Sequence, residues 1–177
     1  PERVHTGLNT ITESTLRFLD ELQRTGIDGI FYAVQHGSYG VMSEAEYQTF
    51  GRPYDLRLLG ALSERFWFNL LHLHGDAPMF NLFVDYPVQA INWHDRETAP
   101  DLASGKSKFP GAVCGGLSRW DPVHNGTPAQ VRDQAREAIE LTGGRRFILS
   151  TGCVALITSP LSNIRAVREA VDRFPPA

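Results

Sequence analysis

Gly29-Ile30-Phe31-Tyr32-Ala33-Val34-Gln35 runs directly into His36-Gly37-Ser38-Tyr39-Gly40, and the change of character between the two decides how the chain is read. The first part is short, apolar and rich in residues that suit a pleated strand. The second is polar and glycine-rich, the composition of a turn. A strand therefore feeds a polar loop. Upstream, Ile11, Leu16, Phe18, Leu19 and Leu22 fall near helical spacing and Gly26 follows as a stop, which predicts a helix over 10–25. Downstream, Ser43 with Glu46 three residues on is a capping box for a helix over 43–50, and Gly51-Arg52-Pro53 restarts the chain into a second helix reaching about residue 65.

The same alternation continues to the end of the chain. A buried strand is expected over 66–75, with Phe66, Trp67 and Phe68 as core and strand-forming aromatics. After it come a short helix over 78–84, a strand over 90–94, a polar stretch and a strand over 112–117. Thr127-Pro128 opens a helix that runs through Val131, Ala135 and Ile139 to Gly143-Gly144. A strand over 146–150 and a helix over 160–173 close the order. One helix followed by five strand-plus-helix units is an α/β pattern with a parallel sheet, either doubly wound or part of a (β/α)8 barrel. Both architectures place chemistry at the C-terminal ends of strands, where His36, His72, His74, Asp95, Ser118 and Cys153 lie.

Composition narrows the function classes. The 177 residues are 42% hydrophobic and 21% charged with a net charge of -3, which suits one globular domain. Acidic and basic residues are interspersed rather than blocked, which disfavours nucleic acid as a partner. No apolar run reaches the roughly 18 to 20 residues of a membrane helix, and the N-terminus lacks the layout of a signal peptide, so the expected compartment is the cytoplasm. Cys114 and Cys153 are the only cysteines and read as reduced thiols. No G-x-G-x-x-G or Walker loop follows any strand, which disfavours a nucleotide cofactor.

One constellation carries chemistry. His72 and His74 are two residues apart at a strand end and share a face, and Cys153 ends another strand. Imidazole and thiolate suit zinc. The bland reading is a hydrogen-bonded polar strand end with Cys153 packed as a small hydrophobe. Asp95 and Glu97 are either oxygen ligands, partners that orient an imidazole, or a solvated loop. Arg119, Trp120 and Asp121 either contact an anionic substrate or cap a loop. Cys114, inside a strand, is expected to be inert, and Arg145-Arg146 lie on the face away from catalysis.

Several segments carry a family resemblance: Gly29-Ile30-Phe31, Tyr47 with Phe50 through Tyr54, Leu71 through Gly75, Asn92-Trp93, Gly115-Gly116-Leu117, and Ser150-Thr151-Gly152-Cys153 with Pro160 and Asn163-Ile164. Together they resemble the uroporphyrinogen decarboxylase family, whose superfamily includes corrinoid and thiol methyltransferases and cobalamin-independent methionine synthase. The resemblance implies the C-terminal part of a (β/α)8 barrel, with residues 1–177 forming a single partial barrel domain of about five parallel strands, roughly strands four to eight. A whole barrel takes about 250 residues or more. An arc with two unpaired sheet edges implies self-association or pairing with the missing half-barrel. It also implies that the full-length protein is an enzyme acting on a small-molecule substrate while this piece alone is inactive.

Two chemistries follow from that resemblance. The methyltransferase branch binds zinc through His-x-Cys and a later Gly-Cys, and the metal holds a thiol as the nucleophile. Here His72 and Cys153 match, and His74 replaces the first Cys; this branch implies zinc on His72, His74 and Cys153, with a corrinoid as methyl donor and a corrinoid protein as partner. The decarboxylase branch removes the acetate carboxyls of uroporphyrinogen without a cofactor. In this sequence Asn92-Trp93 replaces its Asp-Trp, Gly115 through Arg119 replaces its Gly-Asn-Leu-Asp-Pro, and Cys153 replaces the His of its Gly-His-Gly. His36 and Ser38 fall where the family contacts substrate, and Arg119 joins them as a third substrate-binding candidate. A third expectation, from another class, is a non-catalytic binding or assembly module.

Overall fold

A computed structural model describes residues 1–63 and 66–173. Five strands form one sheet in the order β1-β2-β3-β4-β5: β1 (Phe31–Val34), β2 (Leu70–Leu73), β3 (Ala90–Trp93), β4 (Ala112–Leu117) and β5 (Phe147–Thr151). The strands alternate with helices, and β1 pairs with β2, and β4 with β5, in parallel. This is the α/β arrangement expected from the alternation of apolar runs and helical periods. The chain divides into two compact units, Pro1–Ala90 and Ile91–Ala177.

In the first unit, α1 (Glu2–Leu22) packs on α3 (Arg52–Ser63), with the short α2 (Glu44–Phe50) between β1 and α3 in sequence. The capping box at α2 is present: the Ser43 side chain accepts from the backbone of Glu46, whose carboxylate accepts from the backbone of Ser43. The helix expected over 10–25 starts eight residues earlier. Thr6, Gly7, Asn9 and Thr10 are weak helix formers, and tertiary contacts override them: the His5 ring lies 5.1 Å from that of Phe50 and Nδ1 of His5 bonds the Tyr54 hydroxyl at 2.7 Å. The helix expected to reach about residue 65 is described through Ser63, and its expected end lies outside the described residues.

Two further expectations need correction. β2 is four residues long, not ten, and Trp67 is 71% exposed, its indole N–H donating to Asp28. An aromatic run is not by itself a core, because Trp can lay its ring on the surface while its N–H finds a partner. Phe66 beside it is buried, as expected.

Between β1 and the helices sits a buried polar cluster. Asp55 of α3 accepts from the hydroxyls of Tyr32, Tyr47 and Tyr86. Burial pushes the Asp55 carboxyl above the usual carboxylate range although all three hydrogen bonds act the other way.

In the second unit, α5 (Pro128–Thr142) packs against β4 and α6 (Leu161–Arg173). Its start is fixed by the Thr127 capping box with Pro at the first turn and its end by Gly143 at φ 64°. Leu117, Val123, Ala135 and Ala170 form a core there, with Leu149 and Val167 against it. The polar stretch after β3 contains a helix that the sequence reading passed over, α4 (Leu102–Lys108), capped by the Asp101 side chain on the Ser104 N–H. Seven residues with one large apolar group give periodicity too little to register.

Candidate metal centre

β2 sets the first two side chains. Leu71 and Leu73 are fully buried on one face, so the pleat turns His72 and His74 to the other. Their ring centroids are 5.9 Å apart, and Phe31 stacks on His72 at 5.5 Å. His72 is buried and His74 half-buried.

β3 contributes next. Asn92 is buried, its amide donating to the carbonyls of Cys114 at 2.7 Å and Thr151 at 3.1 Å. Where the family resemblance expects an ionised carboxylate, this chain has a donor, and the neighbouring strands present two acceptors to it. Beyond Trp93 the backbone turns tightly, with the N–H groups of Glu97 and Thr98 both on the carbonyl of His94. That turn folds Glu97 back under its own histidine: Nδ1 of the buried His94 lies 3.3 Å from a Glu97 carboxylate oxygen. Arg119, on the loop after β4, places Nε 3.2 Å and Nη2 3.4 Å from the same carboxylate and lies over the ring of Trp120.

β5 delivers the sulfur. Cys153 follows the strand by two residues and is buried; the Thr151 hydroxyl donates to its carbonyl at 2.5 Å. Gly152 between them is in close approach: a Cβ there would sit 2.6 Å from the Trp93 carbonyl oxygen and 2.9 Å from the Cα of His94. Gly115 leaves room in the same way for Asp95, whose other oxygen accepts the Gly116 N–H at 3.0 Å. Burial pushes the Asp95 carboxyl up to about 6, against the pull of that hydrogen bond.

In the first unit His72 and His74 stand at the end of β2; in the second His94 follows β3 and Cys153 follows β5. Three of the four are the residues singled out from sequence. His94 was missed, although it ends a strand as His72 and Cys153 do, because a lone His after Trp93 has no spacing partner. Three imidazoles and one thiol are a donor set suited to zinc.

The other sequence candidates have definite surroundings. His36 is exposed and lines a cavity of about 380 Å³ with Leu8, Met42, Phe50, Tyr54 and Asp55. Ser38 is buried and its hydroxyl accepts the Gly40 N–H, a turn contact. Cys114 is buried, with its thiol pushed up to about 11, burial being the main cause, as an inert cysteine should be. Neither cysteine forms a disulfide among the described residues.

Residues 1–174 match the family model described as Uroporphyrinogen decarboxylase (URO-D). The chain belongs to that family. Among curated relatives, a uroporphyrinogen decarboxylase from Prochlorococcus marinus (strain NATL2A) is 25% identical, over 96% of this chain and 47% of its own length. A methylated-thiol--coenzyme M methyltransferase from Methanosarcina mazei is 26% identical, over 99% of this chain and 46% of its own. The chain therefore spans about half the length of the curated relatives it matches. Among solved structures, a methyltransferase from Methanosarcina mazei superposes with a TM-score of 0.79 at 21% identity, covering 92% of this chain and 47% of that one. The fold is thus shared with a barrel enzyme of which this chain matches one half. The family holds both chemistries, and no helix among the described residues is long and apolar enough to cross a membrane.

Proposed function

We propose that this chain is one arc, a single partial domain, of a (β/α)8 enzyme whose centre is built for zinc-assisted methyl transfer to a thiol. The observation that carries the reading is the donor set itself, three imidazoles and a thiol at or just beyond strand ends: His72 and His74 at the end of β2, His94 after β3 and Cys153 after β5. The methylated-thiol methyltransferase among the relatives supports the direction. When bound there, zinc would supply Lewis acidity that lowers the pKa of a substrate thiol and so presents it as a nucleophile. A corrinoid, carried on a partner protein, is the methyl donor this chemistry calls for.

The chain's own residues divide the work. His72 and Cys153 are buried and hold the centre from β2 and from the end of β5. His94 is buried and braced by Glu97. His74 is half-buried. Four protein donors would fill a tetrahedral metal, whereas catalysis needs one open position, and His74 is the donor placed to yield it to a substrate. His36, Ser38 and Arg119 belong to the substrate side of this reading. Two cysteines outside any disulfide fit a reducing compartment, the cytoplasm.

The test is metal analysis of protein purified without chelators, joined to a thiol-methylation assay with methylcobalamin on the full-length enzyme. Zinc near one equivalent per chain, lost in Cys153→Ala together with methyl transfer, is the expected result. Metal-free protein that decarboxylates uroporphyrinogen would overturn it and favour the second reading, which rests on the several decarboxylases among the relatives.

A further inference from the structure

Resting on the metal reading above, we propose that Glu97 and Arg119 are positioning residues for the fourth ligand: Glu97 holds His94 through Nδ1 so that Nε2 faces the metal, and Arg119 holds Glu97. Three observations converge on this. The first is the contact between Nδ1 of His94 and Glu97 Oε2 at 3.3 Å, made by a histidine whose side chain is 2% exposed. A buried imidazole with a carboxylate on one nitrogen has its tautomer set: Nδ1 carries the proton, donates it to the carboxylate, and leaves the lone pair on Nε2.

The second is the backbone of the loop. The N–H groups of Glu97 and Thr98 converge on the His94 carbonyl at 2.8 and 2.9 Å, and that of Asp95 on the Trp93 carbonyl at 2.8 Å. The turn therefore fixes where Glu97 can reach, and the contact does not depend on a freely swinging side chain. The third is that Glu97 is itself held from a different element. Arg119 sends Nε and Nη2 to the two oxygens of Glu97, a two-point grip that a lysine could not reproduce. The arginine is braced in turn: its plane lies 5.6 Å over the Trp120 ring. Its loop is tied down as well, since the Ser118 N–H donates to Gln134 of α5 and the Asp121 N–H to the Ser118 hydroxyl. Arg119, offered by the sequence as a substrate contact, thus has a second role, because its Nε and Nη2 donate to Glu97.

The consequence is an ordering of the donors. An imidazole fixed by a carboxylate is a more basic and better-oriented ligand, and loss of such a partner typically costs about 10- to 100-fold in metal affinity. Zinc titration of the apo chain against a chromophoric chelator, with ¹⁵N spectra of the histidine rings, tests this. Glu97→Ala should weaken zinc binding about 10- to 100-fold and Arg119→Met by less, while the thermal unfolding midpoint of the apo protein stays where it was. Glu97→Asp should recover part of the loss. The ring spectrum of His94 should show Nδ1 protonated in the parent and a mixed tautomer in Glu97→Ala. If the parent binds zinc and Glu97→Ala binds it equally well with the His94 tautomer unchanged, the positioning role is overturned and the metal reading survives. If the parent takes up no zinc at all, both fall together.

Discussion

The Tyr32 hydroxyl donates to Oδ1 of Asp55 at 2.7 Å, joining β1 to α3 across 23 residues of chain. Tyr47 and Tyr86 occupy the other oxygen. Burial is the largest influence on Asp55 and raises its pKa above the ordinary 3.8; the three hydroxyls lower it without cancelling that effect. The folded state therefore favours the protonated acid. Its contribution to stability is fully present below the unfolded value near 3.8 and is lost as the pH rises through the higher folded value. Asparagine at this position stays neutral throughout. Measured as the difference in melting temperature, Asp55→Asn minus parent should rise between pH 4 and pH 7; a difference that stays flat across that range would show that Asp55 is not held in its acid form.

Asn92 is a buried donor where Asp55 is an acid. Its amide donates to two carbonyls, those of Cys114 and Thr151, inside the sheet. Asn92→Asp, which restores the residue type expected from the family resemblance, replaces a donor by an ionised acceptor facing two acceptors. The buried carbonyls lose their partner and a charge is left uncompensated, a change worth about 1–3 kcal/mol or more. Chemical denaturation at pH 7 should read that loss. Equal stability would mean that the amide contacts are not holding these strand ends.

Much of this architecture was legible in the sequence, and the rest was not for identifiable reasons. The strands could be placed because Phe31–Val34, Leu70–Leu73 and Ala112–Leu117 are compact apolar runs ending in polar residues, which is all that a strand buried by helices requires. The capping box at Ser43 and the Thr127-Pro128 start of α5 were equally local. By contrast α1 begins eight residues before its periodicity does, because contacts of His5 with Phe50 and Tyr54 hold residues of low propensity. Trp67 lies outside the core because Asp28 gives its N–H a surface partner. Among the candidate ligands, His72 and His74 announce themselves by a two-residue spacing, whereas His94, alone after Trp93, has no such partner in the sequence. Glu97 and Arg119 are paired across 22 residues of chain, a relation no spacing rule could have found.

Gly152 should tolerate no side chain. Added atoms would meet the Trp93 carbonyl oxygen at 2.6 Å and the His94 Cα at 2.9 Å, and both are backbone, which cannot swing aside as a side-chain tip can. Gly152→Ala therefore forces β3 and the Cys153 segment apart, at a cost of about 1–3 kcal/mol for overpacking. It should also weaken zinc uptake beyond what the stability loss explains, since His94 and Cys153 flank the displaced contact. Gly7→Ala is the control: nothing lies within 4 Å of a Cβ there, and in the interior of α1 alanine should stabilise by roughly 0.5–1 kcal/mol. A Gly152→Ala protein with parental melting temperature and parental zinc affinity would refute the close-approach argument.

β1 and β5 stand at the ends of the sheet order, and each end carries apolar surface. On the first unit Val4, Ile11 and Phe18 recur every seven residues along α1 and are exposed, as is Phe31 on β1. On the second, Leu117, Val123, Leu149, Ile164, Val167 and Val171 line a groove of about 360 Å³ beside β5, with Val154 and Ile157 exposed nearby. Unpaired strand edges next to apolar side chains favour recruitment of further chain. The 19.7 kDa polypeptide should therefore scatter as a dimer or larger species, and charged substitutions such as Ile11→Lys with Ile164→Lys should shift it toward the monomer. A monodisperse 19.7 kDa particle across the micromolar range would mean that these surfaces are tolerated in water.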